Sequence, residues 1–217
     1  MCPALPRPRP ARAVLEGRYA RLEPLSAAHA PDLFEASAGP GADARFAYLF
    51  DLPPESPADM AAWIAKAAAT DDPLFAAVID RASGRAGGRQ ALMRITPEHG
   101  VIEIGHILWG PAIARTRVAT EALYLAARHV FEDLGYRRFE WKCNDLNEPS
   151  KAAARRFGFA FEGLFRQHMW SKGANRDTAW FAMLDGEWPR LRRAYDRWLE
   201  PANFDAAGRQ RSKLKIL

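Results

Sequence analysis

VIEIGHILWGPAIARTRVATEALYLAARHVFEDLGYRRFEWKCN, residues 101–144, changes its hydrophobic period twice. Val101 to Trp109 is apolar and alternating, which predicts a strand. From Val118 to Leu134 helical spacing puts Val118, Ala122, Leu125, Ala126, His129 and Val130 on one side, and Gly135 follows as the stop. Arg138 to Asn144 alternates again, with Phe139, Trp141 and Cys143 on one side and Arg138, Glu140, Lys142 and Asn144 on the other. A strand, a long helix and a strand in this order predict a right-handed crossover joining two parallel strands.

Working upstream, Tyr19 to Leu25 reads as a strand and Ser26 as the cap of a helix reaching about Ala36. Gly39 to Glu55 is a loop rich in Gly, Pro and aromatic residues. Ser56-Pro57-Ala58-Asp59 then starts a helix, with cap, first-turn proline and acid in place, and Met60, Trp63, Ile64 and Ala67 form its apolar stripe. Leu74 to Asp80 is a strand, residues 81–88 (RASGRAGG) a turn, Ala91 to Ile95 a strand and Thr96 to Gly100 a turn. Downstream come a helix at 149–157 ended by Gly158, strands at 165–170 and 178–184 joined by a turn at 171–177, and a helix at 187–199. The expected class is α/β, with a mixed, mostly antiparallel sheet around one parallel central pair and helices flanking it. Residues 1–16 read as a disordered Pro/Arg-rich lead-in, 17–186 as the domain, and 187–217 as a terminal helix with a basic tail.

A chain of 217 residues can bury ~70% of its unfolded surface and needs no staple. Two cysteines, Cys2 and Cys143, make no disulfide framework and no metal-ligand spacing, so no metal is expected and a reducing cytoplasm fits. The N-terminus lacks an apolar signal core, and no apolar run approaches a membrane span. The net charge of +5 is concentrated in the first twelve and last nine residues. Basic ends of this kind are read as solvated tails rather than as a nucleic-acid surface.

Two segments carry chemistry. Ala112 to Leu123, AIARTRVATEAL, links a strand end to a helix start, where unpaired backbone amides and the positive dipole end can hold a phosphate. Arg115 and Arg117 flank that loop and can add charge-assisted contacts; the alternative is a plain turn with two solvated arginines. Asn144 to Phe159, NDLNEPSKAAARRFGF, opens a second helix at Asn147 or its neighbour and sets Ser150 at its amino end, as a cap or as an outward hydroxyl.

IEIGHILWGPAIARTRVATEAL (102–123), RRFEWKCNDLNEPSKAAARRFGFAFEGLFR (137–166) and NRDTAWFAMLDGEWP (175–189), in this order and at this spacing, resemble the GNAT acetyltransferase superfamily and, more narrowly, its RimJ/RimL-type branch. The resemblance implies a GNAT fold whose parallel pair splays to admit acetyl-CoA as co-substrate. Backbone near Ile107, Leu108 and Trp109 would pair with the pantetheine arm, and the loop Arg115, Thr116, Arg117, Val118, Ala119 and Thr120 would seat the pyrophosphate. Asn147 would touch the pantetheine side, and Ser150 would stand near the sulfur. One departure concerns that loop: Ala114 and Arg117 stand where the family usually has Gln/Arg and a central glycine, and only Ala119 agrees.

The reaction implied is direct transfer of acetyl to a primary amine in a ternary complex. A backbone amide near Leu108 would hold the thioester oxygen, and Ser150 would protonate the sulfur. For the base, Glu103 is the first choice, as a carboxylate able to reach the amine through water; alternation sets Glu103 and His106 on opposite faces, and His106 is read as packing or hydrogen-bonding on the substrate side. The acceptor, a small molecule or a protein N-terminus, would lie among Tyr48, Trp63, His106 and Asp177, with Phe46, Phe50, Trp170, Asp43 and Asp51 nearby. Aromatic walls with carboxylates suit a cationic amine. A homodimer is compatible with this reading. Two rival classes remain: a CoA-binding module without turnover, and a nucleic-acid-associated protein working through its basic ends.

Overall fold

The computed structural model describes residues 4–216. Its elements are β1 (Leu15–Glu16), β2 (Ala20–Pro24), α1 (Ala30–Ser37), α2 (Ala42–Phe46), α3 (Pro57–Ala68), β3 (Leu74–Asp80), β4 (Arg85–Thr96), β5 (Val101–Trp109), α4 (Arg117–Arg128), β6 (Arg138–Asn144), α5 (Glu148–Arg156), β7 (Ala160–Ser171), β8 (Ala174–Leu184) and α6 (Trp188–Trp198). The strands form one mixed sheet in the order β1-β2-β3-β4-β5-β6-β8-β7, with one parallel pair. The strands before and after α4 are neighbours in that order, as the crossover requires. The chain divides into two compact units, one of Pro10–Arg94 with Ile104–Leu125, the other of Ile95–Glu103 and Ala126–Leu217 with the N-terminal segment through Arg9.

In the first unit, β2, β3 and β4 run antiparallel, with Phe75 opposite Ala91 and Ala77 opposite Arg89. Leu25, Leu33, Met60, Ile64, Phe75, Ala77 and Ile79 form its core, so α1 and α3 cover the face that carries Phe75 and Ala77. Helix α3 starts as its sequence requires: the Ser56 hydroxyl accepts from the Asp59 amide at 3.2 Å. The expected turn at 81–88 is shorter than its glycines suggest, because β4 begins at Arg85. Gly87 and Gly88 lie within that strand, and their role is close approach: a Cβ on Gly88 would stand 2.4 Å from the Leu108 carbonyl oxygen, and one on Gly87 2.4 Å from Ile113 Cγ2. Glu121, 4% exposed, ties α4 to the first hairpin by accepting from the amides of Arg18, Tyr19 and Ala20 at 2.5 to 2.9 Å. A short helix, α2, interrupts the expected loop 39–55.

In the second unit, β6, β8 and β7 are antiparallel. The β7–β8 hairpin closes on Lys172 (φ 51) and Gly173 (φ 75), the left-handed pair of a two-residue turn. The expected turn 171–177 is therefore corrected: Ala174 to Asp177 belong to β8. Helix α4 continues from His129 to Asp133 as a π-turn. Phe139, Trp141, Phe157 and Phe159 make a contiguous aromatic core, and the Tyr195 hydroxyl donates to the Phe157 carbonyl at 2.9 Å. Within this unit the basic ends are held to the chain: the Arg7 amide donates to Pro97 O at 2.9 Å, Tyr136 Oη donates to Pro8 O at 3.1 Å, and Trp198 Nε1 donates to Ser212 O at 3.0 Å.

Candidate active site

The amino end of α4 is organised by Thr116. Its hydroxyl donates to Ile113 O at 2.7 Å and accepts from the Val118 amide at 3.2 Å, so it caps the helix. The left-handed residue of this loop is Arg115, with φ 62, and Arg117 is not among the residues with positive φ. The glycine usual at position 117 is thus not required by the backbone here. Arg117 instead starts the helix and lays its guanidinium 4.3 Å from the Tyr19 ring. The Val118 amide is used by the cap, and the Thr120 amide donates to the Thr116 carbonyl at 3.3 Å.

Strand β5 holds a second departure from simple alternation. His106 has φ 49, a left-handed residue inside a strand, which marks a bulge. Parity counted from Glu103 to His106 does not survive it, so the opposite-faces expectation loses its basis. The His106 ring packs 5.1 Å from Phe75 and 6.4 Å from Phe50, and its Nδ1 lies 4.0 Å from Asp51 Oδ2. Burial, then the charge of Arg89, holds the imidazole below its ordinary value near 6.5.

Arg89 was not singled out in the sequence, yet it organises this region. Its side chain is 2% exposed, and Nη2 donates to Asp51 Oδ2 at 2.6 Å while Nη1 donates to the His106 carbonyl at 3.3 Å. Its guanidinium lies 4.0 Å from the Trp63 ring centroid. A cavity of about 280 Å³ opens here, lined among others by Phe46, Asp51, Pro53, Met60, Trp63 and Arg89. Of the expected acceptor residues Trp63 lines it; half-buried Tyr48 does not.

In the other unit, Asn147 caps α5, its side-chain oxygen accepting from the Ser150 amide at 3.1 Å. That frees Ser150 from the cap role. Its Oγ accepts from Trp141 Nε1 at 3.0 Å. Cys143 is 5% exposed, and burial pushes its thiol up, with a hydrogen bond to Ser150 opposing, which fits its place on the same side of the strand as Phe139 and Trp141. Asp177, on β8, accepts from the Gln167 amide and from Asn175 Nδ2, each at 2.7 Å. These bonds hold its carboxyl below the usual range and brace the bulge at Gln167 (φ 50).

Glu103 is 2% exposed and pairs with Lys142 Nζ at 2.8 Å; the same ammonium lies 2.7 Å from Glu140 and 3.8 Å from the Trp180 ring. Its carboxylate is committed to a buried ion network rather than presented as a free base. Among the described residues, no group of three or more His, Cys, Asp and Glu is placed to hold a metal ion, and no helix is long and apolar enough to cross a membrane.

Known proteins agree with this architecture. The acetyltransferase (GNAT) domain model matches residues 20–160. A GCN5-related N-acetyltransferase from Brucella melitensis is 58% identical with a TM-score of 0.95, covering 97% of this chain and 96% of that one. A GNAT-family protein from Chromobacterium violaceum is 40% identical with a TM-score of 0.78, covering 87% of this chain and 98% of that one. RimL, a ribosomal L7/L12 alpha-N-protein acetyltransferase, is 19% identical with a TM-score of 0.69 over 83% of this chain and 99% of that one, which shows a shared fold and not a shared branch. No curated protein matches. With the domain model spanning more than half of the chain and a 58% identical relative matched along nearly its whole length, the chain belongs to the GNAT acetyltransferase family.

Proposed function

We propose that the protein is an acetyl-CoA-dependent N-acetyltransferase that passes the acetyl group directly to a primary amine in the cytoplasm. The observation that carries this reading is the amino end of α4, a helix start capped by Thr116 that follows β5 after a seven-residue loop and turns its positive dipole end toward a pyrophosphate. Arg115, Thr116, Arg117, Val118, Ala119 and Thr120 then form the pyrophosphate seat, and Ile107, Leu108 and Trp109 offer backbone to the pantetheine arm. An amide near Leu108 receives the developing oxyanion, Asn147 flanks the pantetheine, and Ser150, oriented by Trp141, gives its proton to the leaving sulfur. The acceptor amine enters the cavity beside Trp63 and Asp51. Its volume, about 280 Å³, is at the small end of the usual range of ~300–1,000 Å³ for small-ligand pockets, which favours an acceptor whose inserted part is small. Asp177 is assigned to bracing its hairpin rather than to the acceptor.

The test compares Arg117→Ala with Arg117→Pro. Alanine removes the side chain alone; proline at the first helical position also removes the amide and suits the helix. With acetyl-CoA, Arg117→Pro is expected to bind about tenfold more weakly than Arg117→Ala, the scale of one charge-assisted hydrogen bond. With S-acetylpantetheine, which has no pyrophosphate, the two variants should give the same kcat/KM. Equal affinity of both variants for acetyl-CoA would remove the pyrophosphate from this loop.

A further inference from the structure

Two residues beside the acceptor cavity remain without a chemical assignment: the strained His106, and the buried Arg89, which lines that cavity together with Asp51. They are joined by direct contacts. Arg89 donates both to Asp51 and to the backbone carbonyl of His106, at 2.6 and 3.3 Å, so one guanidinium positions the carboxylate and the bulged residue together. Asp51 lines the cavity, and its Oδ2 is 4.0 Å from His106 Nδ1. Phe75 from β3 and Phe50 from the loop before α3 pack against the ring at 5.1 and 6.4 Å, and its side chain is 16% exposed. The bulge at φ 49 puts the imidazole here immediately before Ile107–Trp109, at the cost of a conformation that a non-glycine residue seldom takes within a strand.

Resting on the acetyltransferase reading above, we propose that His106 is the general base of the transfer, taking the proton of an acceptor ammonium that reaches it through the cavity beside Asp51. The acceptor arrives as R–NH3+, and the imidazole takes one proton to leave R–NH2. The nitrogen lone pair then forms the C–N bond to the thioester carbon, and the C–S bond breaks with its electron pair going to sulfur. The second nitrogen proton leaves as the amide forms, and the departing thiolate takes up a proton to end as a thiol. The imidazolium returns its proton to water, so the sum is ammonium plus thioester to amide, thiol and one proton.

The charged groups that face His106 are Asp51 from the loop and Arg89 and Arg94 from β4. The two cations, with burial, favour the neutral imidazole, and for the same Coulombic reason they disfavour the ammonium form of an amine bound beside it. Glu103 has no comparable freedom, being shared with Lys142 at 2.8 Å.

The experiment measures kcat against pH at saturating acetyl-CoA and amine for the wild type, His106→Gln and Glu103→Gln. It uses an aliphatic amine, which is an ammonium at neutral pH, and an aromatic amine, which is not. The wild type should lose kcat for the aliphatic amine in a single step below the ordinary imidazole value near 6.5, because the base must be neutral. His106→Gln should lose about 10²-fold with the aliphatic amine, together with that step, while keeping most of its rate with the aromatic one. Glu103→Gln should keep the step. A His106→Gln enzyme that retains the step, or that loses both acceptors equally, overturns the proposal. Should that variant not fold, a wild-type step of equal size with both amines overturns it as well. If the wild type turns over acetyl-CoA with neither these nor any other amine, the acetyltransferase reading fails first and this one with it.

Discussion

Asp51→Ala is expected to cost the fold about 3–5 kcal/mol, because it leaves a buried guanidinium without its counter-ion. The Arg89 side chain is 2% exposed and that of Asp51 24%, so the two ends of this pair are unequal. Without Asp51 the Arg89 charge keeps one carbonyl, that of His106, and the faces of Trp63 and Phe75. Without Arg89 the carboxylate still reaches water. Arg89→Met, which also refills the volume with an apolar chain, should therefore cost clearly less than Asp51→Ala. For a chain of this size the Asp51 variant should melt roughly 6–20 °C lower. Calorimetry on both variants decides it. Equal losses, or a larger loss for Arg89→Met, would mean that the guanidinium is not the costly partner.

Ser150→Ala is expected to lower kcat about 10²-fold while the affinity for acetyl-CoA changes little, the pattern of a lost proton donor. Stability offers a control, since Asn147 and not Ser150 caps α5. The variant strands the Trp141 indole N–H, 5% exposed as a residue, which costs about 1–3 kcal/mol. Adding Trp141→Phe removes the stranded donor and should restore most of that stability. The double variant should regain its melting temperature without regaining its rate. Recovery of rate along with stability would reduce Ser150 to a packing partner of Trp141.

Much of this architecture was legible in local signals. Ser56, Pro57 and Asp59 start α3 at the expected place, and Leu74–Asp80, Val101–Trp109 and Arg138–Asn144 are the strands their patterns predict. Such features depend on neighbours within a few residues. What escaped depends on partners far along the chain. Gly87 and Gly88 look like turn residues until Ile113 and Leu108 are seen against them. Arg89 fell between an expected turn and an expected strand, and only its register opposite Ala77 turns it toward the α3 face. The ion pair of Glu103 with Lys142 and the left-handed φ of His106 have no local signature, so neither the engagement of Glu103 nor the break in parity at His106 could be read from the pattern. The cap at Asn147 was legible because it acts within its own turn, whereas side chains set by another strand were obscure.

The central claim is catalysis of amine acetylation, and one measurement addresses it: release of free thiol from acetyl-CoA by the full chain, across small aliphatic and aromatic amines and an N-terminal peptide. The account predicts amine-dependent thiol release, saturable in both substrates, with an acetylated amine formed in equal amount. Tight acetyl-CoA binding with no amine-dependent thiol release from any of these acceptors would contradict it and leave a CoA-binding module without turnover.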